Sequence, residues 1–362
     1  MRIAAFFVAC LLLAITGCAG RHGEMSMSLA DSIDQMVAKA FPDPLAPGCA
    51  VLVRMDGNTI VSRGYGLANL ETGELNTPET NFRLASITKQ FTAAAVLRLV
   101  EQRKVALEYS MPDIFPGFPE YGAAIQVRHL LGHTSGLPDY EDLMDKSSTE
   151  QIRDAGVLAI LGKQAKGDFP PGEKYAYSNS GYATLAMTVE ARAEKPFADY
   201  LAEEFFVPLG MTDSVAFEDG KSVVARRAHG HRREEVGPWF RADQSTTSAV
   251  LGDGGVYTSV TGYGKWADAW FDGKVLTPAH QALAWTPGTL NDGSRTDYGF
   301  GWRVEDVDGI ARVHHTGSTT GFNNCARLVP SRRLCVVILS NRNGPEPEKL
   351  ARAIEELALA EK

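Results

Sequence analysis

The sequence is poor in basic charge. Its 362 residues include 36 Lys and Arg against 44 Asp and Glu, which gives a formal net charge of −8. No long run of Lys or Arg interrupts this acidic balance, and the short basic stretch at residues 226–233 is typical of a solvated surface. Because phosphate binding needs a clustered basic face, we expect no nucleic-acid partner.

Several catalytic signatures are also missing. The sequence has no His-Glu-x-x-His, no Gly-x-Ser-x-Gly nucleophile elbow and no phosphate-binding loop. No Cys, Asp or Glu completes a ligand set at metal-binding spacing around the paired histidines, such as His229 and His231. We therefore expect neither a metal site nor an organic cofactor.

Cysteine is scarce, with five in the chain, and two of these lie near the N-terminus. Residues 3–15 form an apolar run that follows Arg2 and is too short to span a bilayer as a helix. This pattern is typical of a signal peptide, which we place at residues 1–17. The run ends in Ile-Thr-Gly-Cys18, which resembles the lipobox of bacterial lipoproteins. That resemblance implies a diacylglycerol anchor on Cys18, with residues 18–26 as the lipidated tether.

An ordinary cleaved signal that happens to contain Cys18 is the alternative, and both interpretations export the protein. We expect a periplasmic or cell-surface lipoprotein that its lipid anchor holds at a membrane. By analogy, Ala19 rather than Asp after the cysteine favours the outer membrane. The cysteines that remain, Cys49, Cys325 and Cys335, lie in apolar strand-like segments. Isolated strand cysteines are usually buried thiols, so we predict no disulfide.

The two ends of the mature chain are rich in predicted strands. Residues 29–41 carry apolar side chains at helical spacing, and two β-rich segments, 49–54 and 59–64, flank the hairpin signal Asp56-Gly57. Near the C-terminus the pattern predicts four more strands and a closing helix, at residues 298–307, 311–315, 321–330, 333–340 and 350–360.

This order of elements predicts an α/β fold of the α+β kind. One antiparallel sheet is built from both chain ends and flanked by helices, and a mostly helical insert lies between them. We place the sheet domain at residues 27–104 and 295–362. The mainly helical domain is placed at residues 105–294.

The strongest candidate for catalysis is Ser86, which opens an apolar helix predicted over residues 86–103 and is followed by Lys89. Residues three apart on a helix share a face, so the hydroxyl and the amine meet and the lysine can take the serine proton. The serine N–H then lies at the positive end of the helix dipole, where it stabilises an oxyanion.

Two further short motifs carry matching chemistry. In Tyr177-x-Asn179, a tyrosine beside a lysine ammonium can relay a proton, and the asparagine can offer its amide to both substrate and lysine. In His315-Thr316-Gly317, a cationic or hydrogen-bonding side chain, a hydroxyl and a glycine can line one wall of a cleft, where the glycine allows a ligand backbone to approach closely.

Taken together and in this order, the three motifs resemble those of the class C β-lactamase and DD-peptidase superfamily of penicillin-recognising serine hydrolases. The similarity extends over residues 27–360 and includes further segments: Asn81-Phe82-Arg83-Leu84-Ala85, Leu130-Leu131-Gly132-His133-Thr134-Ser135-Gly136-Leu137, Gly254-Gly255-Val256-Tyr257-Thr258-Ser259 and Tyr298-Gly299-Phe300-Gly301-Trp302. The resemblance implies a β-lactamase/DD-peptidase-like fold and no cofactor.

The resemblance also implies an acyl-enzyme on Ser86, with Lys89 and Tyr177 sharing the proton and either of them as the formal base. The oxyanion is expected between the N–H groups of Ser86 and Ser318. Substrate binding is expected from four residues: Asn179, His315, Thr316 and Gly317.

The substrate is left open among members of this superfamily. A small-molecule or peptidoglycan-like substrate with an amide or ester bond fits a DD-peptidase or an esterase. A β-lactamase proper is an alternative, but class C β-lactamases carry a lysine where this chain has His315, which argues against efficient β-lactam hydrolysis. A non-catalytic penicillin-binding or cell-wall-binding lipoprotein is another, although such proteins usually lose the nucleophile, the lysine or the tyrosine.

Overall fold

The computed structural model describes residues 27–235 and 237–361. The predicted signal peptide, Cys18 and the tether lie outside the described residues, so the lipid anchor stays a prediction. Within the described part of the chain, none of the helices combines the length and the apolar character that a membrane crossing requires.

Twelve α-helices occupy the described residues. They are α1 (Leu29–Ala40), α2 (Lys89–Glu101), α3 (Met111–Ile114), α4 (Val127–Leu131), α5 (Tyr140–Leu143), α6 (Asp154–Leu161), α7 (Asn179–Ala193), α8 (Phe197–Leu201), α9 (Leu251–Gly254), α10 (Val260–Phe271), α11 (Pro278–Ala284) and α12 (Pro347–Ala360). A 3₁₀-helix, Ala85–Thr88, runs directly into α2.

Thirteen strands lie in the same part of the chain. They are β1 (Cys49–Met55), β2 (Asn58–Tyr65), β3 (Leu67–Asn69), β4 (Glu74–Leu75), β5 (Phe82–Arg83), β6 (Val215–Ala216), β7 (His231–Arg232), β8 (Phe240–Arg241), β9 (Val256–Thr258), β10 (Arg303–Val307), β11 (Ile310–Thr319), β12 (Phe322–Val329) and β13 (Leu334–Ser340).

One six-stranded antiparallel sheet is built from both ends of the chain, in the order β10-β11-β12-β13-β1-β2. The predicted hairpin at its far edge is confirmed, because Asp56 and Gly57 connect β1 to β2 with φ of 50° and 82°. One sheet therefore joins residues before position 66 to residues after position 302, as the sequence predicts.

Side-chain alternation gives this sheet two buried faces. Along β13, Leu334, Val336 and Ile338 belong to a core beneath α1 and α12. The intervening Cys335 and Val337 belong to the larger core that α2, α7 and α10 share. Since successive strand residues point to opposite faces, a strand buried on both faces is apolar throughout, as β13 is. The three predicted strand cysteines are free and buried.

Two element boundaries differ from the sequence prediction. The strand expected from residue 298 begins only at Arg303, because Gly301 has a φ of 80° and the Gly299 N–H donates to the Trp302 carbonyl at 2.8 Å. This turn cannot continue a strand. In contrast, β11 extends four residues beyond its predicted end at His315, to Thr319. The division into domains at residues 104 and 294 stays a prediction.

Candidate active site

The segment that carries Ser86 is a tight turn between β5 and α2. Ala85 has a left-handed φ of 50°, which is uncommon for a residue with a side chain, and the Ile87 N–H donates to the Leu84 carbonyl. The turn buries Ala85 and Ile87 and leaves Ser86 partly exposed at the wall of a cleft. The helix predicted to start at Ser86 begins as this 3₁₀-helix, so the hydroxyl is presented by a strained turn.

Lys89 lies next to that hydroxyl. Its buried Nζ donates to Ser86 Oγ at 3.1 Å and to Asn179 Oδ1 at 2.9 Å. A third bond runs to the backbone carbonyl of Asp253 at 2.9 Å. An ammonium has three donors, so this arrangement uses all of them and fixes the position of Nζ beside the serine. The predicted meeting of Ser86, Lys89 and Asn179 is present in the structure.

Tyr177 lies on the solvent side of the lysine. Its side chain is 38% exposed, and Lys89 Nζ lies 4.9 Å from the ring centroid. The ring of the buried His133 lies against it, with 4.2 Å between ring centroids, and His133 Nδ1 accepts a hydrogen bond from the Ser178 N–H at 3.0 Å. In the sequence, His133 lies in a segment that resembles the family, and no motif there indicates its role. It is a neighbour of Tyr177 in the fold.

Strand β11 forms another wall of the cleft beside Ser86. His315 is buried, and its Nε2 shares a hydrogen bond of 2.9 Å with the Tyr298 hydroxyl. Burial and, next, the nearby Lys89 lower the pKa of His315 to about 3, so its side chain is neutral near pH 7. The sequence allows either a cationic or a hydrogen-bonding side chain at position 315. In the structure His315 is the hydrogen-bonding one. Thr316 lines a neighbouring depression beside Arg303.

Gly317 allows β11 to pack against the turn that carries Ser86. A Cβ atom at this position would lie 2.0 Å from the Leu84 carbonyl oxygen, so only glycine lets β11 approach the turn that carries Ser86. The sequence predicts that this glycine allows the close approach of a ligand backbone. The structure shows that backbone from the same chain fills that space.

A cleft connects these walls, and Ser86, Asn179 and Ser318 all line it. Its remaining lining residues are Arg83, Ala85, Tyr140, Glu141, Thr247, Asp253, Gly254 and Thr319. The serine and the predicted oxyanion residue Ser318 thus face one space, as two oxyanion donors must. The sequence does not indicate Glu141 and Asp253 as cleft residues, because neither lies in one of the three motifs.

A sequence model of the family described as Beta-lactamase matches residues 33–361. The chain belongs to the Beta-lactamase family. This result confirms the resemblance drawn from the three motifs.

Two curated relatives of this family member are similar over most of its length. A penicillin-binding protein of Bacillus subtilis is 28% identical over 314 residues, covering 81% of this chain and 67% of the relative. A D-aminopeptidase of Cereibacter sphaeroides is 27% identical over 318 residues, covering 86% of this chain and 60% of the relative. The chain therefore spans about three fifths to two thirds of these relatives.

A solved structure has the same fold as this family member. The crystal structure of a penicillin binding protein from Bacillus halodurans has a TM-score of 0.77 and 26% identity, and the match covers 90% of this chain and 98% of that one. The predicted fold class is confirmed by this likeness.

Two buried carboxyl groups support the cleft. Asp154 Oδ2 and Oδ1 accept the N–H groups of Leu251 and Gly252 at 2.8 and 2.9 Å, which fixes the short helix α9. That helix carries the Asp253 carbonyl to which Lys89 donates. Burial raises the pKa of Asp154 to about 7 and that of Asp253 to about 6. Among residues 27–235 and 237–361, no three His, Cys, Asp or Glu side chains are grouped closely enough to hold a metal ion.

Proposed function

We propose that this protein is a serine hydrolase that forms an acyl-enzyme on Ser86 and cleaves an amide or ester bond. The observation that carries the proposal is the 3.1 Å contact between Lys89 Nζ and Ser86 Oγ, made by a buried amine that two further acceptors hold in place. A nucleophile at hydrogen-bonding distance from a proton-transfer group, which other groups hold in place, is the arrangement that acyl transfer requires.

The reaction follows from these positions. Ser86 Oγ attacks the substrate carbonyl carbon while its proton passes to the Lys89 and Tyr177 pair. The carbonyl oxygen becomes an oxyanion between the N–H groups of Ser86 and Ser318. Collapse of this intermediate expels the leaving group, which takes the proton from the same pair, and leaves an ester on Ser86. Water then attacks the ester, and the acid product and free serine are released.

A substrate that contains a D-amino acid is favoured over a β-lactam. One relative is named as a D-aminopeptidase and another as a penicillin-binding protein. The neutral His315 supplies no positive charge on β11, whereas class C β-lactamases have a lysine there. Slow acylation by penicillins, without efficient hydrolysis, fits the same site. The binding-protein alternative is less favoured, because Ser86, Lys89 and Asn179 are joined by hydrogen bonds.

The test of the nucleophile uses the chain without residues 1–18, beside Ser86→Ala and the matched control Ser62→Ala. Ser62 lies exposed on β2, away from the cleft. Each protein is incubated with a fluorescent penicillin, nitrocefin, p-nitrophenyl butyrate and a D-alanyl peptide. Labelling or turnover should vanish only in Ser86→Ala, and the preferred reagent separates peptidase, esterase and lactamase. Activity that survives in Ser86→Ala would overturn the mechanism.

We further propose that the protein is exported and that a lipid anchor on Cys18 holds it at a membrane, with the outer membrane favoured. The Ile-Thr-Gly-Cys18 sequence after an apolar run supports this proposal. Bacterial cells that express the full chain should incorporate labelled palmitate into it, and Cys18→Ala should abolish the label. A label that persists in Cys18→Ala, or none in the unchanged protein, would contradict the lipid anchor.

A further inference from the structure

The cleft beside Ser86 contains two carboxylates on its wall, from Glu141 on α5 and Asp253 on α9. Neither belongs to the proton-transfer pair described above. From these we infer that the cleft binds a protonated primary amine on the acyl part of the substrate, so that the preferred substrates are aminoacyl amides, peptides or esters with a free amino group. This inference rests on the proposed function and names its substrate class.

The positive charges near the cleft are already engaged by acceptors of the protein itself. Lys89 directs its Nζ to three acceptors, as described above. The buried Arg83 also lines the cleft, and its guanidinium donates to the Gly254 carbonyl, the Ser248 hydroxyl and the Ser248 carbonyl. Both cations are therefore held by hydrogen bonds within the protein. Their charges also act on Asp253.

The carboxylates, in contrast, have acceptor capacity left. Asp253 is 8% exposed, and its one side-chain hydrogen bond among the described residues is from the Tyr140 hydroxyl to Oδ2 at 3.2 Å. Glu141 Oε1 accepts from Asn179 Nδ2 at 3.3 Å. A carboxylate offers about four acceptor positions, so Asp253 Oδ1 and Glu141 Oε2 remain open to a ligand. The cleft thus has a surplus of acceptors.

The electrostatics of Asp253 favour the same ligand. Burial raises its pKa to about 6, and the charges of Lys89 and Arg83 oppose that rise. Above this pH the buried group is ionised, and a further cation beside it recovers part of the hydration that burial removed. An ammonium has three donors and one positive charge, which match an acceptor-rich space. An acylated amine carries no positive charge and is larger than an ammonium group, so it matches this space less well.

The cleft is also small and lies beside the reacting atoms. Its cavity volume is about 70 Å³, and Ser86 and Ser318 line it together with the two carboxylates. A group bound there is close to the carbonyl that Ser86 attacks. The amine is therefore best placed on the carbon next to that carbonyl, as in an amino acid residue with a free N-terminus.

The experiment measures binding in a protein that cannot turn the ligand over. Calorimetry on Ser86→Ala compares the Kd of D-alaninamide with that of N-acetyl-D-alaninamide. We expect the free amine to bind at least about tenfold more tightly, which is the usual effect of one charge-assisted hydrogen bond. Adding Glu141→Gln should reduce this preference by about two- to fivefold, because glutamine keeps the shape and loses the charge of this exposed side chain.

The matched control is Asp142→Asn in the same background. Asp142 follows Glu141 on α5, and its side chain is 88% exposed. This control should keep the preference for the amine. Equal Kd values for the two ligands in Ser86→Ala, or a preference that Glu141→Gln does not change, would overturn the inference. Turnover of p-nitrophenyl butyrate by the unchanged protein tests the proposed function separately, so the two failures are distinguishable.

Discussion

His133 shows how one residue supports the site without belonging to any of its motifs. It is fully buried and has a left-handed φ of 58°. Burial and, next, the charge of Lys89 lower the pKa of His133 well below its usual range. The neutral ring accepts the Ser178 N–H at Nδ1 and packs against Tyr177. We therefore interpret it as a positioning residue for Tyr177.

The corresponding variant is His133→Asn. Asparagine tolerates the left-handed backbone and its side-chain oxygen can accept the Ser178 N–H, but it leaves no ring beneath Tyr177. We expect kcat for p-nitrophenyl butyrate to fall about ten- to hundredfold with little change in KM, because Tyr177 is displaced from the proton path.

The control for this variant is His129→Asn on α4, four residues earlier in the chain. His129 caps the start of its own helix by accepting the Gln126 N–H at 3.1 Å. Equal losses of kcat in the two variants would show that His133 has only a structural role.

At the scale of elements, the contact between β11 and the turn before α2 decides where Ser86 stands. Gly317 meets the Leu84 carbonyl from β11. From β12, Asn324 Nδ2 donates to the Arg83 carbonyl at 2.9 Å and to the Leu84 carbonyl at 3.3 Å. Two neighbouring strands thus hold the strained turn from one side, and the distance between Ser86 and Ser318 depends on this packing.

Gly317→Ala tests this contact. The added Cβ would overlap a backbone carbonyl, so β11 and the turn must move apart. We expect the acylation rate of a fluorescent penicillin to fall at least about tenfold and the free energy of unfolding to fall by about 1–3 kcal/mol. Stopped-flow labelling and urea unfolding measure the two effects.

Gly162→Ala at the end of α6 is the control. Its φ is −63°, and a Cβ there would lie 3.3 Å from the nearest atom, the Leu158 carbonyl oxygen. This variant lies away from the cleft and should retain the labelling rate. A Gly317→Ala protein that labels as fast as the unchanged protein would contradict the packing role.

At the scale of the whole molecule, the site places ionisable groups in the interior between sheet and helices. His315 is surrounded by Lys89, Arg303 and His314, which act with burial to keep it neutral, while the carbonyl of Thr316 acts in the opposite direction. The pKa of this histidine is therefore lower in the folded chain than in the unfolded chain. Between these two pKa values the unfolded chain binds the extra proton, so the stability falls as the pH falls.

This sign gives a testable pH dependence. The contribution of His315 to the free energy of unfolding is fully present above pH 6.5, which is the ordinary pKa of histidine. It is lost progressively as the pH falls toward 3. We expect the difference in the free energy of unfolding between the unchanged protein and His315→Gln to decrease by about 1 kcal/mol for each pH unit below 6.5. Urea unfolding at pH 7, 6 and 5 measures it.

The difference between the two proteins cancels the opposite pH dependence of Asp154 and Asp253. Their raised pKa values stabilise the fold as the pH falls in both proteins alike. A difference that does not change between pH 7 and pH 5 would show that His315 is protonated in the fold as readily as in the unfolded chain.

The sequence by itself determined the features that depend on near neighbours in the chain. Helix α1 and the hairpin of β1 and β2 follow from side-chain periodicity and a local turn. The pair of Ser86 and Lys89 follows from a spacing of three residues. Such features are visible because helix and strand geometry fixes which side chains share a face.

Only the tertiary structure decided the rest of the site. Lys89 bonds Asn179 and the Asp253 carbonyl across 90 and 164 residues of chain. Gly317 is required by a Leu84 carbonyl, and the wall of the cleft contains Glu141 from another helix. A backbone carbonyl is the same at every residue, so no side-chain pattern can indicate which one will accept a hydrogen bond. That choice is made when distant segments pack against each other.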